Sequence, residues 1–232
     1  MPDENQDKHN PISNLGAVVL CGGKSSRLGI DKTQLDFKGH TFLEQVVAQV
    51  AQVCGQVVVV GDTDLSFHVL PDDVWLARDE EADKGPLEGI RVGLEQLAGG
   101  KDGINQCEFA FVTSCDVPLL KPELIRYLFE QLKQHAAVVP VQGDRVFGMT
   151  AIYRTDRYVE IEKRVQADQL RVSDLATALD ARLLKADSLR EIDPDLDSLT
   201  NVNSVDDYRN LLGRLKIQCP PELAKAIGLD EA

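Results

Sequence analysis

The chain has 232 residues, enough to bury a sizeable core in a single domain of α/β type. Lys and Arg number 25 against 38 Asp and Glu, and the formal charge of −13 argues against nucleic acid or an anionic membrane as a partner. No stretch approaches the roughly 20 apolar residues of a membrane span, and the five cysteines lack CxxC spacing, so reduced structural thiols in a cytoplasmic protein are expected.

Residues 1–14, MPDENQDKHNPISN, are polar and lack the apolar core of a signal peptide; they read as an N-terminal tail. The first strand is the apolar run Ala17-Val18-Val19-Leu20-Cys21, which Gly22-Gly23 breaks. Lys24, Arg27 and Lys32 follow, a local cationic exception in an acidic chain. Glycines without Cβ let backbone N–H groups approach an anion, and nearby cations neutralise it further, so this stretch outlines a phosphate pocket. It is not a Walker A loop, because Val18 stands where that motif needs its first glycine. The dinucleotide fingerprint is missing too, since the next glycine after Gly23 is Gly29.

Residues 41–53 predict a helix with Phe42, Val46, Val50 and Val53 on one face, and Thr41 with Glu44 forms a capping-box pattern. Residues 57–60 predict a buried strand closed by Gly61-Asp62, and 74–77 a shorter one followed by Arg78-Asp79-Glu80-Glu81. Gly85-Pro86-Leu87-Glu88-Gly89 opens a helix to about Leu97, readable as an ordinary helix start or as a glycine-flanked ligand contact. Residues 109–113 are a continuous apolar strand that stops at Ser114-Cys115-Asp116-Val117-Pro118. Asp116 thus stands at a strand's carboxyl end, where it can cap the next helix or, facing a triphosphate, bind Mg²⁺. Parallel neighbours with right-handed crossovers would bring the cationic turn and Asp116 to one edge of the sheet.

A helix is expected over 122–134, then strands over 136–141 and 146–153, paired antiparallel about the Gly143-Asp144 turn. Further expectations are a helix over 158–181, a strand within 181–192, a polar loop over 199–204 and a helix over 205–215 N-capped by Ser204. From Lys216 a C-terminal tail adds one peripheral helix. The alternation predicts one doubly wound, mainly parallel α/β domain of Rossmann-like kind over 15–215, with a mixed C-terminal half. His9, His40, His68 and His135 are scattered without ligand or triad spacing, which leaves carboxylates, lysines and a metal to carry any chemistry.

Taken together, LCGGKSSRLGIDK at 20–32, GPLEG at 85–89, SCDVPLL at 114–120 and NVNS at 201–204 resemble the molybdenum cofactor guanylyltransferase family of nucleotidyltransferases. The resemblance implies transfer of GMP from GTP to Mo-molybdopterin with release of pyrophosphate, Mg²⁺ as the required ion, and a monomer that hands its product to molybdoenzymes or their chaperones. By motif it implies that Leu20, Cys21, Gly22 and Gly23 hold the nucleoside and begin the phosphate loop, with Arg27 and Lys32 on the phosphates. Gly61 and Asp79 would border the nucleotide and Gly85 and Gly89 line its pocket. Asp116 would hold metal and phosphates, and Asn201 and Asn203 would approach the pterin-bearing substrate or metal. Three positions depart from the family's usual pattern: Cys21 replaces alanine, Gly61 an asparagine, and Phe147-Gly148-Met149 a Pro-Leu pair. A cytidylyltransferase, a sugar-phosphate nucleotidyltransferase and a nucleotide-binding carrier without turnover are the competing readings.

Overall fold

The computed structural model describes residues 10–22, 35–61, 70–78, 84–99 and 106–228. Its first strand, β1 (Ile12–Cys21), is longer than the apolar run alone. The Ile12 amide donates to the Val53 carbonyl at 2.7 Å, and the ladder is irregular between Ile12 and Gly16. A two-stranded hairpin, β2 (Asp36–Phe37) and β3 (His40–Thr41), turns at Lys38-Gly39, both with positive φ. It leads directly into α1 (Phe42–Ala51), where the Thr41 hydroxyl accepts from the Glu44 amide and the Glu44 carboxylate accepts from the Thr41 amide, completing the expected capping box.

β4 (Cys54–Gly61), β5 (Val74–Arg78), α2 (Pro86–Leu97), β6 (Phe109–Ser114) and α3 (Pro122–Leu132) complete the first half. The second half contributes β7 (Ala137–Gln142), β8 (Arg145–Val146), β9 (Ala151–Arg154), α4 (Tyr158–Gln166), α5 (Leu175–Ala178), β10 (Arg182–Lys185), α6 (Val205–Leu215) and α7 (Pro221–Ala226). The sheet runs β10-β7-β9-β6-β1-β4-β5, with β8 paired to β7. β6, β1, β4 and β5 are mutually parallel, while β9 is antiparallel to both β6 and β7. This is the mainly parallel sheet with a mixed second half that the alternation implies.

Both sheet faces are covered, as the continuous apolar strands require. Ala17, Val19 and Cys21 face a cluster that includes Val46 and Val50 of α1 and Leu124 and Leu128 of α3. Val18 and Leu20 face the other, with Ile90 and Leu94 of α2 and Ile161 and Val165 of α4. Glycine sets the approach of α2 to β1: a Cβ at Gly93 would lie 2.4 Å from Val18 Cγ1, and one at Gly16 would lie 2.6 Å from a Leu97 methyl. Those contacts run the helix antiparallel to the strand, so its N-terminus sits over the strand's carboxyl end. A third cluster joins Leu35, Phe37 and Phe42 to Val202, Tyr208, Leu211 and Ile227, with the Tyr208 hydroxyl donating to the Asp36 carbonyl at 2.7 Å.

Three expected elements are shorter than the sequence implies. The helix over 158–181 stops at Gln166, because Asp168 adopts the left-handed conformation (φ 57°) that Asp tolerates and that no helix can pass through. The strand over 146–153 is interrupted by a turn in which the Thr150 amide bonds the Phe147 carbonyl at 3.0 Å. There Gly148 packs against Val172, where a Cβ would come within 2.7 Å, and its carbonyl accepts from the buried Tyr153 hydroxyl. Within 181–192 only Arg182–Lys185 is strand; a 3₁₀ turn over Ala186–Leu189 follows.

Candidate active site

Register brings the carboxyl ends of four strands into line. Leu20 is opposite both Val60 and Ser114, Cys21 is opposite Gly61, and Gly61 is opposite Arg78. The Cys115 amide donates to the Leu20 carbonyl at 3.0 Å, so the turn carrying Asp116 is bonded to the end of β1. Leu20 and Cys21 are buried, and Gly22 is exposed where the chain leaves the strand. Gly23, Lys24, Arg27 and Lys32 lie outside the described residues, as do Asp62 and Asp79.

The start of α2 borders the same edge. Gly85, its N-cap, has φ 67° and ψ −163°, a conformation essentially reserved for glycine, with open space where a Cβ would be. The glycine is therefore required by its backbone, and Pro86 at the first helical position adds a pre-set φ. Gly89 is buried one turn on. Between them Glu88, 1 % exposed, receives two hydrogen bonds from Arg91, at 2.8 and 2.7 Å, and Arg91 also donates to Glu95. The carboxylates hold the Arg91 guanidinium firmly in its charged form, so Glu88 stays in the helix body as half of a buried pair.

Asp116 is 7 % exposed. Its Oδ1 accepts from the Ser114 hydroxyl at 2.5 Å and from Asn201 Nδ2 at 2.7 Å, while its backbone carbonyl accepts from the Val202 amide at 2.8 Å. The polar loop ahead of α6 is thus stitched to the end of β6 through both side chain and backbone. Asn203 is exposed, and its amide donates to the Asp207 carboxylate at 2.9 Å in the N-terminal box of α6, in which Ser204 is the cap as expected. Beyond Asn201 lies a cavity of about 260 Å³, walled by Leu119, Thr200, Val202 and Leu211, with Arg214 paired to Asp197 at 2.7 Å.

Of the residues singled out in the sequence, the fold brings Leu20, Cys21, Gly61, Asp116 and Asn201 to one sheet edge and sets Gly85 over it. It directs the Asn203 backbone N–H to the helix cap. Sequence reasoning passed over Ser114, although a hydroxyl two residues before a strand-end Asp is the available signal. It also passed over Glu88 and Arg91, whose three-residue spacing on one helix face predicts a pair.

The donor chemistry here fits a hard divalent cation. Asp116 offers carboxylate oxygen, and Mg²⁺ usually takes one or two carboxylates and draws its remaining ligands from phosphate and water. No group of three or more His, Cys, Asp or Glu side chains that could hold a metal occurs among the described residues. A nucleotide-borne ion does not need one.

The MobA-like NTP transferase domain matches residues 17–183, which span the carboxyl edge from β1 to the end of β10's first half. The chain belongs to that family. A Methanosarcina mazei protein named "Probable molybdenum cofactor guanylyltransferase" is 31 % identical over 93 % of this chain and 98 % of its own. The molybdenum cofactor guanylyltransferase of Syntrophotalea carbinolica is 29 % identical over 83 % of this chain and 88 % of its own. Among solved structures, molybdopterin-guanine dinucleotide biosynthesis protein A from Archaeoglobus fulgidus superposes with a TM-score of 0.71, covering 87 % of this chain and 98 % of its own at 21 % identity. That likeness establishes the family's fold for this chain.

Proposed function

We infer that the protein is a molybdenum cofactor guanylyltransferase, transferring GMP from GTP to Mo-molybdopterin and releasing pyrophosphate. Family membership and relatives of that name over nearly the whole chain support the reaction class. The observation that carries the site assignment is the convergence of Asp116, Leu20 and Asn201 on one edge of a parallel sheet, where open α/β folds bind nucleotides.

In the reaction, an oxygen of the acceptor's terminal phosphate attacks the α-phosphorus of GTP. One P–O bond forms there, the bond to the bridging oxygen breaks, and that oxygen leaves with pyrophosphate. The attacking phosphate is already ionised near neutral pH, so no side-chain base is required. What the site must supply is alignment and neutralisation of two approaching anions. In this reading Lys32 and Arg27 neutralise the phosphates, and Leu20, Cys21, Gly22, Gly23 and Gly61 border the nucleoside. Asp79 adds a nucleotide contact, and the start of α2 at Gly85 and Gly89 offers the positive end of a helix dipole. Asp116 would hold Mg²⁺, which when bound would offset negative charge on the phosphate oxygens. The reaction is assigned to the cytoplasm and to a monomer.

Pyrophosphate release from GTP, measured with and without Mo-molybdopterin and repeated with CTP, tests the assignment. Acceptor-dependent release from GTP is expected, and a preference for CTP would replace the guanylyl reading by a cytidylyl one. Asp116→Ala is expected to lose roughly 10²-fold or more in turnover, the range for removing a preorganised electrostatic group. Wild-type turnover in that variant would place the ion elsewhere.

A further inference from the structure

We propose that Ser114 is a positioning residue for the reaction: with Asn201 it clamps one oxygen of Asp116, so that the carboxylate meets the nucleotide's divalent ion in one fixed orientation. The proposal rests on the reading of Asp116 as the group that holds the ion. The clamp itself is geometry. Ser114 Oγ lies 2.5 Å and Asn201 Nδ2 2.7 Å from the same Oδ1, and the two donors are 3.4 Å from each other. An ionised carboxylate oxygen has two acceptor sites in its plane, so a single oxygen can accept from both donors. An amide oxygen turned toward the carboxylate would be repelled, so the nitrogen of Asn201 must face it.

The donors arrive from parts of the chain with separate anchors. Ser114 is the last residue of β6, nearly buried, and its place is set by pairing with Leu20 of β1. Asn201 precedes α6, and its place is set by the bond from the Val202 amide to the Asp116 carbonyl. Neither anchor moves when the side chain of Asp116 rotates, so together they define its torsion angle. This changes the role first implied for Asn201: its NH₂ group is directed at Asp116 and acts through it. Groups that orient a metal-holding side chain typically change metal affinity or activity 10–100-fold when removed.

The test compares Ser114→Ala, Ser114→Thr and Asp116→Asn with the wild type. Mn²⁺ binding to each protein–GTP complex is titrated by electron paramagnetic resonance, alongside the Mg²⁺ dependence of GMP transfer. Ser114→Ala should weaken Mn²⁺ binding roughly 10-fold and raise the apparent KM for Mg²⁺ similarly, with kcat recovering at saturating Mg²⁺. Ser114→Thr, which keeps the hydroxyl, should restore most of the affinity. GTP binding in EDTA should be unchanged in both Ser114 variants. Wild-type Mn²⁺ binding by Ser114→Ala, alongside its loss in Asp116→Asn, would overturn the clamp alone. Wild-type Mn²⁺ binding by Asp116→Asn would instead overturn the reading of Asp116.

Discussion

At the scale of single residues, what the sequence shows and what it hides divide by whether a side chain acts through its type or through its surroundings. Asp116 and Asn201 stand in motifs, and their identities alone suggest chemistry; that one is hydrogen-bonded to the other is a matter of tertiary approach that no spacing encodes. Asp193 makes the same point for stability. It reads as one more acidic loop residue, yet it is fully buried, paired with Lys121 Nζ at 2.9 Å and bonded by the Ser198 amide at 2.7 Å. Burial pushes its carboxyl up, but the Ser198 amide and hydroxyl and the Lys121 ammonium outweigh that and hold it below the ordinary carboxylate range. A group with a depressed folded pKa contributes stability above its unfolded value, about pH 3.9, and loses that contribution as pH falls through the folded value. Asp193→Asn should therefore cost about 1–2 kcal/mol at pH 7, discounted because Lys121 reaches solvent. Denaturant unfolding of both proteins at pH 7 and pH 3 checks this, and the difference should shrink at the lower pH. The cysteines follow the same logic in the opposite direction: burial raises the Cys54 and Cys107 thiols, which keeps them protonated and inert.

At the scale of elements, the parallel half was readable because each strand is an uninterrupted apolar run and each helix carries a stripe or a cap. The second half was less so. The expected helix over 158–181 rested on a heavily charged stretch that looks helical throughout, and the left-handed backbone at Asp168 follows its actual end at Gln166. The turn at Phe147–Thr150 was hidden inside an apolar stretch, since its cause is the close approach of Val172 to Gly148 from a distant segment. Close approach also governs the seam between α2 and β1. Gly93→Ala would drive a methyl into the branched Val18 side chain, which has little freedom to turn away. The expected cost is about 1–3 kcal/mol of overpacking, read as a lower denaturation midpoint with unchanged m-value.

Across the whole molecule, one sheet serves both principal cores, and β1 lies between β6 and β4 with helices on each face. Its central amides have no route to water short of opening the fold. In hydrogen exchange Val18 and Val19 should be among the slowest amides, near the limit set by global unfolding, while the edge strands β5 and β10 exchange sooner. Comparable rates in β1 and β5 would show that the sheet opens from its middle. The order of strands was not legible in the sequence, because nothing local tells β9 to insert between β6 and β7. The bond between Asn201 and Asp116 spans 85 positions of chain. During translation the strand that bears the carboxylate leaves the ribosome long before its amide partner is made. A growing polypeptide thus carries an unfinished centre until Asn201 has been added and its loop has folded back onto the strand.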